Sequence, residues 1–315
     1  MTNRPSFLPP RWVELALWLA GALSLALSGH HLLMTEIAIL ALFAISLDLI
    51  LGFAGIMTLG HGAFFGLGAY AAGVASIRLT AEPLTGLALG GLTAAALGAL
   101  SAPLLVMSRA TDLSRLMITL GVAMLVFEAA NRASLLTGGA DGLQGILTAP
   151  LFGLWEFDLN GFTGHAYALV VLALGLLIAR AVVLSPFGLS LRGIRDNALR
   201  AEAVGVPVKR RLIAVYVLSA ALAGIAGALM AQTMMFVSLD VVALHRSAEG
   251  LGVLILGGIG WLYGGLIGAV VFKLLQDGLA TLTPQYWQFW MGLILVAVVL
   301  IGRDRIASSL AGLRR

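Results

Sequence analysis

Apolar residues fill long stretches of this chain, and polar residues gather in short intervals between them. The apolar runs lie at about 12–28, 32–50, 62–79, 84–107, 116–130, 165–184, 212–235, 249–275 and 286–301. A helix needs roughly 20 mostly apolar residues to cross a bilayer. In hydrocarbon each backbone N–H and C=O must be paired internally, so such runs predict helices. The expected fold class is all-α: a polytopic transmembrane helical bundle, with residues 1–315 forming a single transmembrane domain. The first run follows Arg4 and Arg11 as a signal peptide would. No clear small-residue cleavage site follows it and more spans do, so it reads as a retained span.

The polar intervals orient the helices. Arg4 and Arg11, then Arg109 and Arg115, then Arg192, Arg195, Arg200, Lys209, Arg210 and Arg211, and finally Arg303, Arg305, Arg314 and Arg315 form four basic groups. Positive charge favours the cytoplasmic side, which places these groups and both termini there. The connection 131–164 carries one cation, Arg132, and the acids Asp141, Glu156 and Asp158, and belongs outside. These assignments agree until 249–275. A single pass there would put the basic C-terminus outside, so the segment must return as two short spans or a re-entrant hairpin.

Glycines mark where it could turn: Gly257, Gly258, Gly260, Gly264 and Gly265. Two passes give about ten spans; eight spans plus a re-entrant loop is the alternative. A second glycine-rich segment runs from Gly52 to Gly73. Broken helices persist at membrane depth only where protein or a water-filled path surrounds them. Paired interrupted segments in two halves of a chain point to a transport site at their interface. Scattered glycines such as Gly86, Gly90, Gly91 and Gly98 read instead as close helix packing.

Composition narrows the function. The chain is 60% hydrophobic and 11% charged, with a mean hydropathy of +1.01. That is far below the ~25% charge of soluble domains. The net charge of +4 reads as the positive-inside bias and gives no support for a nucleic-acid partner; the lipid membrane is the expected surroundings. The absence of cysteine excludes disulfides and thiolate chemistry. No Ser/His/Asp or Cys/His constellation supports an enzyme, and no ligand spacing supports a metal. Trp12, Trp18, Trp287 and Trp290 sit at run ends as interfacial anchors.

Glu36, Asp48, Glu128, Glu249 and Lys273 fall in or near the runs. Each costs ~2.5–3.5 kcal/mol at a helix centre, so each is a functional candidate. Together with the glycine breaks, the candidate solute pathway is Asp48, Thr58, His61, Glu128, Gly257, Gly258 and Gly260. For His61 a structural hydrogen bond is the competing reading, and for the acids a packing or pairing role.

Residues 185–211 form the longest basic interval, SPFGLSLRGIRDNALRAEAVGVPVKRR. Ser185-Pro186 and Gly188 end the preceding helix. Asp196 or Asn197 can cap a new one through Ala198–Val204, and Gly205 and Pro207 stop it. We expect a capped helix of about four turns within 192–206. Such a helix can dock a partner and carry its motion into the membrane; the alternative is a solvated loop that only sets topology.

This loop resembles a known family. LRGIRDNALRAEAVGVPVKRRLIAVYVLSAALAGIAGAL is similar to the cytoplasmic-loop signature of LivH/LivM-type permeases of branched-chain amino-acid ABC importers, in its LivM-like form. LDLILGFAGIMTLGHGAFFGLGAYAAG at 47–73, MITLGVAMLVFEAANRASLLTGGADGLQGI at 117–146 and SAEGLGVLILGGIGWLYGGLIGA at 247–269 match in the same order. The approach to 117–146 departs most: DLSRLMITLG stands where LivM-like chains are often more polar. The resemblance implies an inner-membrane permease subunit that pairs with a LivH-like permease. It implies two cytoplasmic ATPase subunits and an extracytoplasmic solute-binding protein. Arg195, Asp196, Asn197, Glu202, Ala203 and Gly205 would form the ATPase coupling element. Branched-chain amino acids are the default solute, with urea, short amides and aromatic acids carried by close relatives. Neither lysine fits G-x-x-x-x-G-K-[ST], since Lys209 precedes Arg210 and Lys273 precedes Leu274, so this chain holds no P-loop cofactor and ATP would be bound by partner subunits. The competing classes are an ion-coupled secondary transporter, using Asp48, Glu128 and Lys273, and a membrane scaffold without transport.

Overall fold

The apolar runs fold as helices. In chain order these are α1 (Arg11–Ser24), α2 (His31–Asp48), α3 (His61–Arg78), α4 (Pro83–Val106), α5 (Asp112–Arg132), α6 (Ser134–Thr137), α7 (Phe162–Leu184), α8 (Pro186–Asp196), α9 (Ala198–Ala203), α10 (Val208–Met234), α11 (Leu244–Gly257), α12 (Gly264–Leu282) and α13 (Trp287–Ile301). The structure, a computed structural model, describes residues 11–25, 29–106, 112–158 and 160–301. The basic positions Arg4, Arg109, Arg303, Arg305, Arg314 and Arg315 lie outside the described residues. Among the described residues, six stretches are long and apolar enough to cross a membrane: His31–Phe53, Pro83–Val106, Asp112–Arg132, Phe162–Leu184, Val208–Met234 and Gly264–Leu282. The remaining runs give α1, α3, α11 and α13, which are shorter or less apolar.

α2 is the hub. Its residues are apolar on all faces, and every one from Ile37 to Asp48 is buried. A helix of that pattern belongs in the middle of a bundle. It packs on α7, α10, α11 and α12. α7 runs alongside it in the same direction, with His165 beside His31 and Gly175 against Leu42.

A second centre is the α3–α4–α10 crossing, where small residues bring backbones together. A Cβ at Gly68 would strike the carbonyl of Gly224, and one at Gly227 that of Phe65. Gly90 meets Ala228, and Gly98 meets Ala220. Without a hydrophobic drive between helices in lipid, such close approach supplies the dispersion contacts that hold them.

Residues 244–282 form the return that the charges required. Gly257 lies against Gly264, and Gly268 against the carbonyl of Val253, so α11 and α12 run antiparallel as a hairpin. Its tip, 258–263, lies beside the C-terminal end of α2: Gly265 packs on Ile45, and Gly260 bonds Asp48.

The loop after α7 corrects one expectation. The four-turn helix over 192–206 is two helices. α8 begins already at Pro186, with Ser185 Oγ accepting from the Gly188 amide, so Gly188 lies inside a helix instead of ending one. α8 stops at Asp196. Asn197 is extended (φ −162°, ψ 101°), and its side-chain oxygen accepts from Arg200 N at 2.9 Å to start α9. An asparagine amide satisfies free N–H groups at a helix start better than it fits a helix interior, and here that preference divides the segment. Gly205 follows α9 at φ +87°, the left-handed stop that the sequence indicates.

Residues 133–161 cover the opposite end of the bundle. Leu143 pairs with Val237, and Thr148 Oγ1 donates to Gln232 O at 3.0 Å. α7 starts at a glycine, Gly161, which has no side chain to cap it. Asp158 Oδ1 accepts from Thr163 N at 3.0 Å in its place, and that backbone hydrogen bond holds the Asp158 carboxyl below its ordinary value.

Candidate functional site

Three parts of the chain meet at the C-terminal end of α2. The first is the interruption after α2. The helix widens into a π-turn, Leu49–Phe53, and then loses regular structure until His61. The second is the hairpin tip, where Gly258 (φ +104°) and Gly260 (φ +75°) take conformations that side-chain-bearing residues rarely adopt. The third is Arg195, from the last turn of α8.

Their contacts follow from the backbone groups each break leaves unpaired. The Gly260 amide donates to Asp48 Oδ1 at 2.7 Å. The guanidinium of Arg195 donates to the Gly52 carbonyl. A Cβ added at Gly52 would meet both the Asp48 carboxylate and the Gly260 amide. One added at Gly55 would meet the Arg195 side chain, and one at Gly260 would lie 3.3 Å from Arg195 Nη1. Asp48 is 3% exposed and its Oδ2 has no partner. Hydrogen bonds to charged groups contribute about 1.5–3 kcal/mol each, against ~1 for neutral pairs. The junction therefore ties the basic loop to two broken membrane segments through its strongest available bonds.

The tip has a further anchor. Tyr263 OH donates to Glu14 Oε1 at 2.8 Å, Glu14 pairs with Arg180, and Arg180 Nη1 lies 3.3 Å from Tyr263 OH. α1 and α7 thus hold the same turn that Asp48 holds from α2.

The other predicted positions scatter. Thr58 is buried in the non-helical stretch, its Oγ1 accepting from the Gly60 amide at 3.2 Å. His61 is fully buried, between the rings of Phe43 and Phe64, with Nε2 2.9 Å from Ser46 Oγ. Ser219 Oγ donates to the Ser46 carbonyl, so this cluster fastens α3 and α10 onto α2. Glu128 is exposed on α5 and pairs with Arg132 at 2.6 Å. Gly257 packs backbone to backbone against Gly264. The structure joins Asp48, Gly260 and Arg195; it does not bring Glu128 or Thr58 to them. Asp196, Asn197, Glu202, Ala203 and Gly205 are exposed on the loop beyond the junction.

Sequence reasoning passed over Arg180, although a cation inside the run 165–184 was a signal of the kind that singled out Lys273. It also passed over Ser46 and Ser219, for which no pattern stood out, because a serine in an apolar helix ordinarily bonds its own turn.

A family model described as "Branched-chain amino acid transport system / permease component" matches residues 31–299. The chain is similar to the high-affinity branched-chain amino acid transport system permease protein LivM of Escherichia coli (strain K12), 26% identical over 258 residues, covering 75% of this chain and 60% of that protein. LivM of Salmonella typhimurium is 26% identical over 265 residues, covering 77% of this chain and 62% of its own length. The L-arabinose ABC transporter permease protein AraH of Azospirillum brasilense is 27% identical over 315 residues, 94% of this chain and 81% of AraH. The chain thus spans about three fifths of the length of the two LivM proteins. No solved structure matches it. The match over most of the chain settles one point: this chain belongs to the family of permease components of branched-chain amino acid transport systems.

Proposed function

We propose that this chain is a permease subunit of an ATP-driven importer for branched-chain amino acids or a similar small polar solute. It lies in the bacterial inner membrane with both termini cytoplasmic. It pairs with a LivH-like permease, takes solute from an extracytoplasmic binding protein and is driven by two ATPase subunits that bind ATP in its stead.

One observation carries the reading: a residue of the basic loop, Arg195, bonds the backbone of one broken membrane segment and touches the other. A push on α8 would reach Gly52 through the Arg195 bond, with Gly260 beside it. The outer surface of the loop suits a partner. Leu199 and Val204 are 79% and 80% exposed, and Ala203 and Gly205 beside them are exposed and small. Exposed large apolar residues on a charged cytoplasmic loop mark an interaction surface. An ion-coupled carrier would need its ionisable groups on one path. Asp48, Glu128 and Lys273 instead have separate partners, the Gly260 amide, Arg132 and Glu36.

Ala203→Glu tests the reading. A charge buried unpaired in a protein contact is strongly unfavourable. We expect the variant to insert normally and to lose either ATPase co-purification or substrate-stimulated ATP hydrolysis in liposomes. Wild-type levels of both would remove the loop from the coupling role.

A further inference from the structure

A cavity of about 250 Å³ opens between α2, α3, α10, α11 and α12, toward the end of the bundle opposite the basic loop. Its wall on α2 is Glu36, Ile39, Leu40 and Phe43, spaced three and four residues apart on one helix face. Phe65, Met230 and Met234 complete an apolar floor. The rest is charged or polar: Arg246 and Glu249 from α11, Lys273 and Gln276 from α12.

The charges are arranged in two pairs. Lys273 Nζ lies 2.9 Å from Glu36 Oε2, and Arg246 Nη1 lies 2.6 Å from Glu249 Oε2. Two cations and two anions cancel, so the empty cavity is neutral. A net cation or anion entering it would upset that balance in a low-dielectric site, whereas a ligand with one charge of each sign preserves it. Two polar atoms are also left over. Arg246 Nε and Gln276 Oε1 are buried without a partner, one a donor and the other an acceptor. Such unmet groups are unfavourable and rare unless something satisfies them. The Arg246 guanidinium lies 5.5 Å from the centre of the Phe65 ring, which fixes its plane beside the apolar floor. The volume is at the lower edge of the ~300–1,000 Å³ of drug-sized pockets, and suits a molecule of few heavy atoms.

We propose that this cavity binds a small zwitterion with an apolar tail. Arg246 takes the carboxylate, Glu36 and Glu249 with Gln276 Oε1 take the ammonium, and Leu40, Phe43 and Phe65 take the tail. The proposal rests on the importer reading for its biological meaning, and its chemistry stands on the cavity alone. The same helix that lines the cavity at Glu36–Phe43 ends at Asp48, so occupancy and the Gly260–Arg195 junction share one rigid element.

The chain has no cysteine, so a single Met230→Cys reports the cavity wall. In the assembled transporter in lipid nanodiscs, labelling of that cysteine by a small maleimide is followed with added L-leucine, L-leucinamide, isocaproate or L-arabinose. L-leucine is expected to slow labelling several-fold. The amide, which lacks the carboxylate, the acid, which lacks the ammonium, and the neutral sugar are expected to leave the rate unchanged. Arg246→Gln in the same background is expected to remove the protection. No protection by L-leucine, equal protection by any of the other three, or protection that survives Arg246→Gln overturns the assignment. If Arg246→Gln fails to assemble, the four-ligand series decides alone. ATPase co-purification and hydrolysis on the same preparation separate the two readings. Their persistence without protection sinks the cavity and leaves the importer; their absence sinks the importer while protection still decides the cavity.

Discussion

The two glycine-rich breaks look alike in sequence and differ in what they leave exposed. After α2, the chain ends its helix with a carbonyl, that of Gly52, turned out of the regular pattern. At the hairpin tip, the group turned out is an amide, that of Gly260. Each receives the complementary charge: a guanidinium for the carbonyl, a carboxylate for the amide. The buried partner, Asp48, comes from inside the membrane segment, while the cation comes from the basic loop. An opened helix at membrane depth must find partners for its free groups. Here that requirement is what links the loop to the transmembrane core. The difference also assigns roles: Asp48 fixes one break to the other, and Arg195 connects both to the basic loop.

Filling the tip is the harshest way to break this arrangement. Gly258→Leu with Gly260→Leu forces side chains onto two left-handed positions, at roughly 1–2 kcal/mol each before any overlap. The side chain at Gly260 also points at Arg195 and Gly52. Uptake should be abolished while the chain still inserts; normal uptake would mean that the tip tolerates ordinary helical residues.

Removing the loop's cation comes next. Arg195→Gln shortens the side chain and removes the charge, taking the Nη1 donor away from the Gly52 carbonyl. We expect ATPase co-purification to persist and uptake per ATP hydrolysed to fall several-fold. Loss of the ATPase from this variant would show that Arg195 serves docking and not the junction.

Exchanging Asp48 separates hydrogen bonding from charge. Asp48→Asn retains an oxygen for the Gly260 amide, whereas Asp48→Leu leaves that amide unpaired at about 1–3 kcal/mol. Thermal unfolding in detergent should therefore rank Leu well below Asn, with Asn near the parent. Equal destabilisation by both would mean that the carboxylate's charge beside Arg195, and not its bond to Gly260, holds the tip.

Much of the bundle was legible because hydrocarbon leaves few choices. Apolar runs became helices, and the basic groups required the return at 249–275 that the α11–α12 hairpin supplies. The density of glycines between apolar residues marked the segment; Gly258 and Gly260 make its turn, while Gly257, Gly264, Gly265 and Gly268 serve close packing. What could not be read was which breaks meet. The Asp48–Gly260 bond joins residues 212 positions apart, and no local pattern encodes that distance. The division of 192–206 at Asn197 was half legible: the cap was visible, but α8 ahead of it was hidden by Gly188, which reads as a breaker and packs instead against the carbonyl of Val183. The charged cavity was missed as a unit because Glu36, Glu249 and Lys273 were weighed singly and Arg246 not at all; only the fold places them around one space.

The mildest test repeats the carboxylate-to-amide contact where water can reach it. Asp158 accepts from Thr163 N at the start of α7, as Asp48 accepts from Gly260 N, but Asp158 is exposed. Water can replace its bond, so the loss belongs at the low end of capping effects, ~0.5 kcal/mol. Asp158→Ala should raise hydrogen exchange in the first turn of α7 and leave uptake unchanged. The pH dependence has a definite sign. The folded carboxyl titrates below its ordinary value because the Thr163 amide favours the charged form. Its contribution is therefore full at neutral pH, above the unfolded value, and is lost as pH falls through the lowered one. The parent and Asp158→Ala should differ in α7 protection at neutral pH and converge in acid. If Asp158→Ala proved as damaging as Asp48→Leu, burial would not be what distinguishes the two carboxylates, and the junction's special standing would have to rest on Arg195 alone.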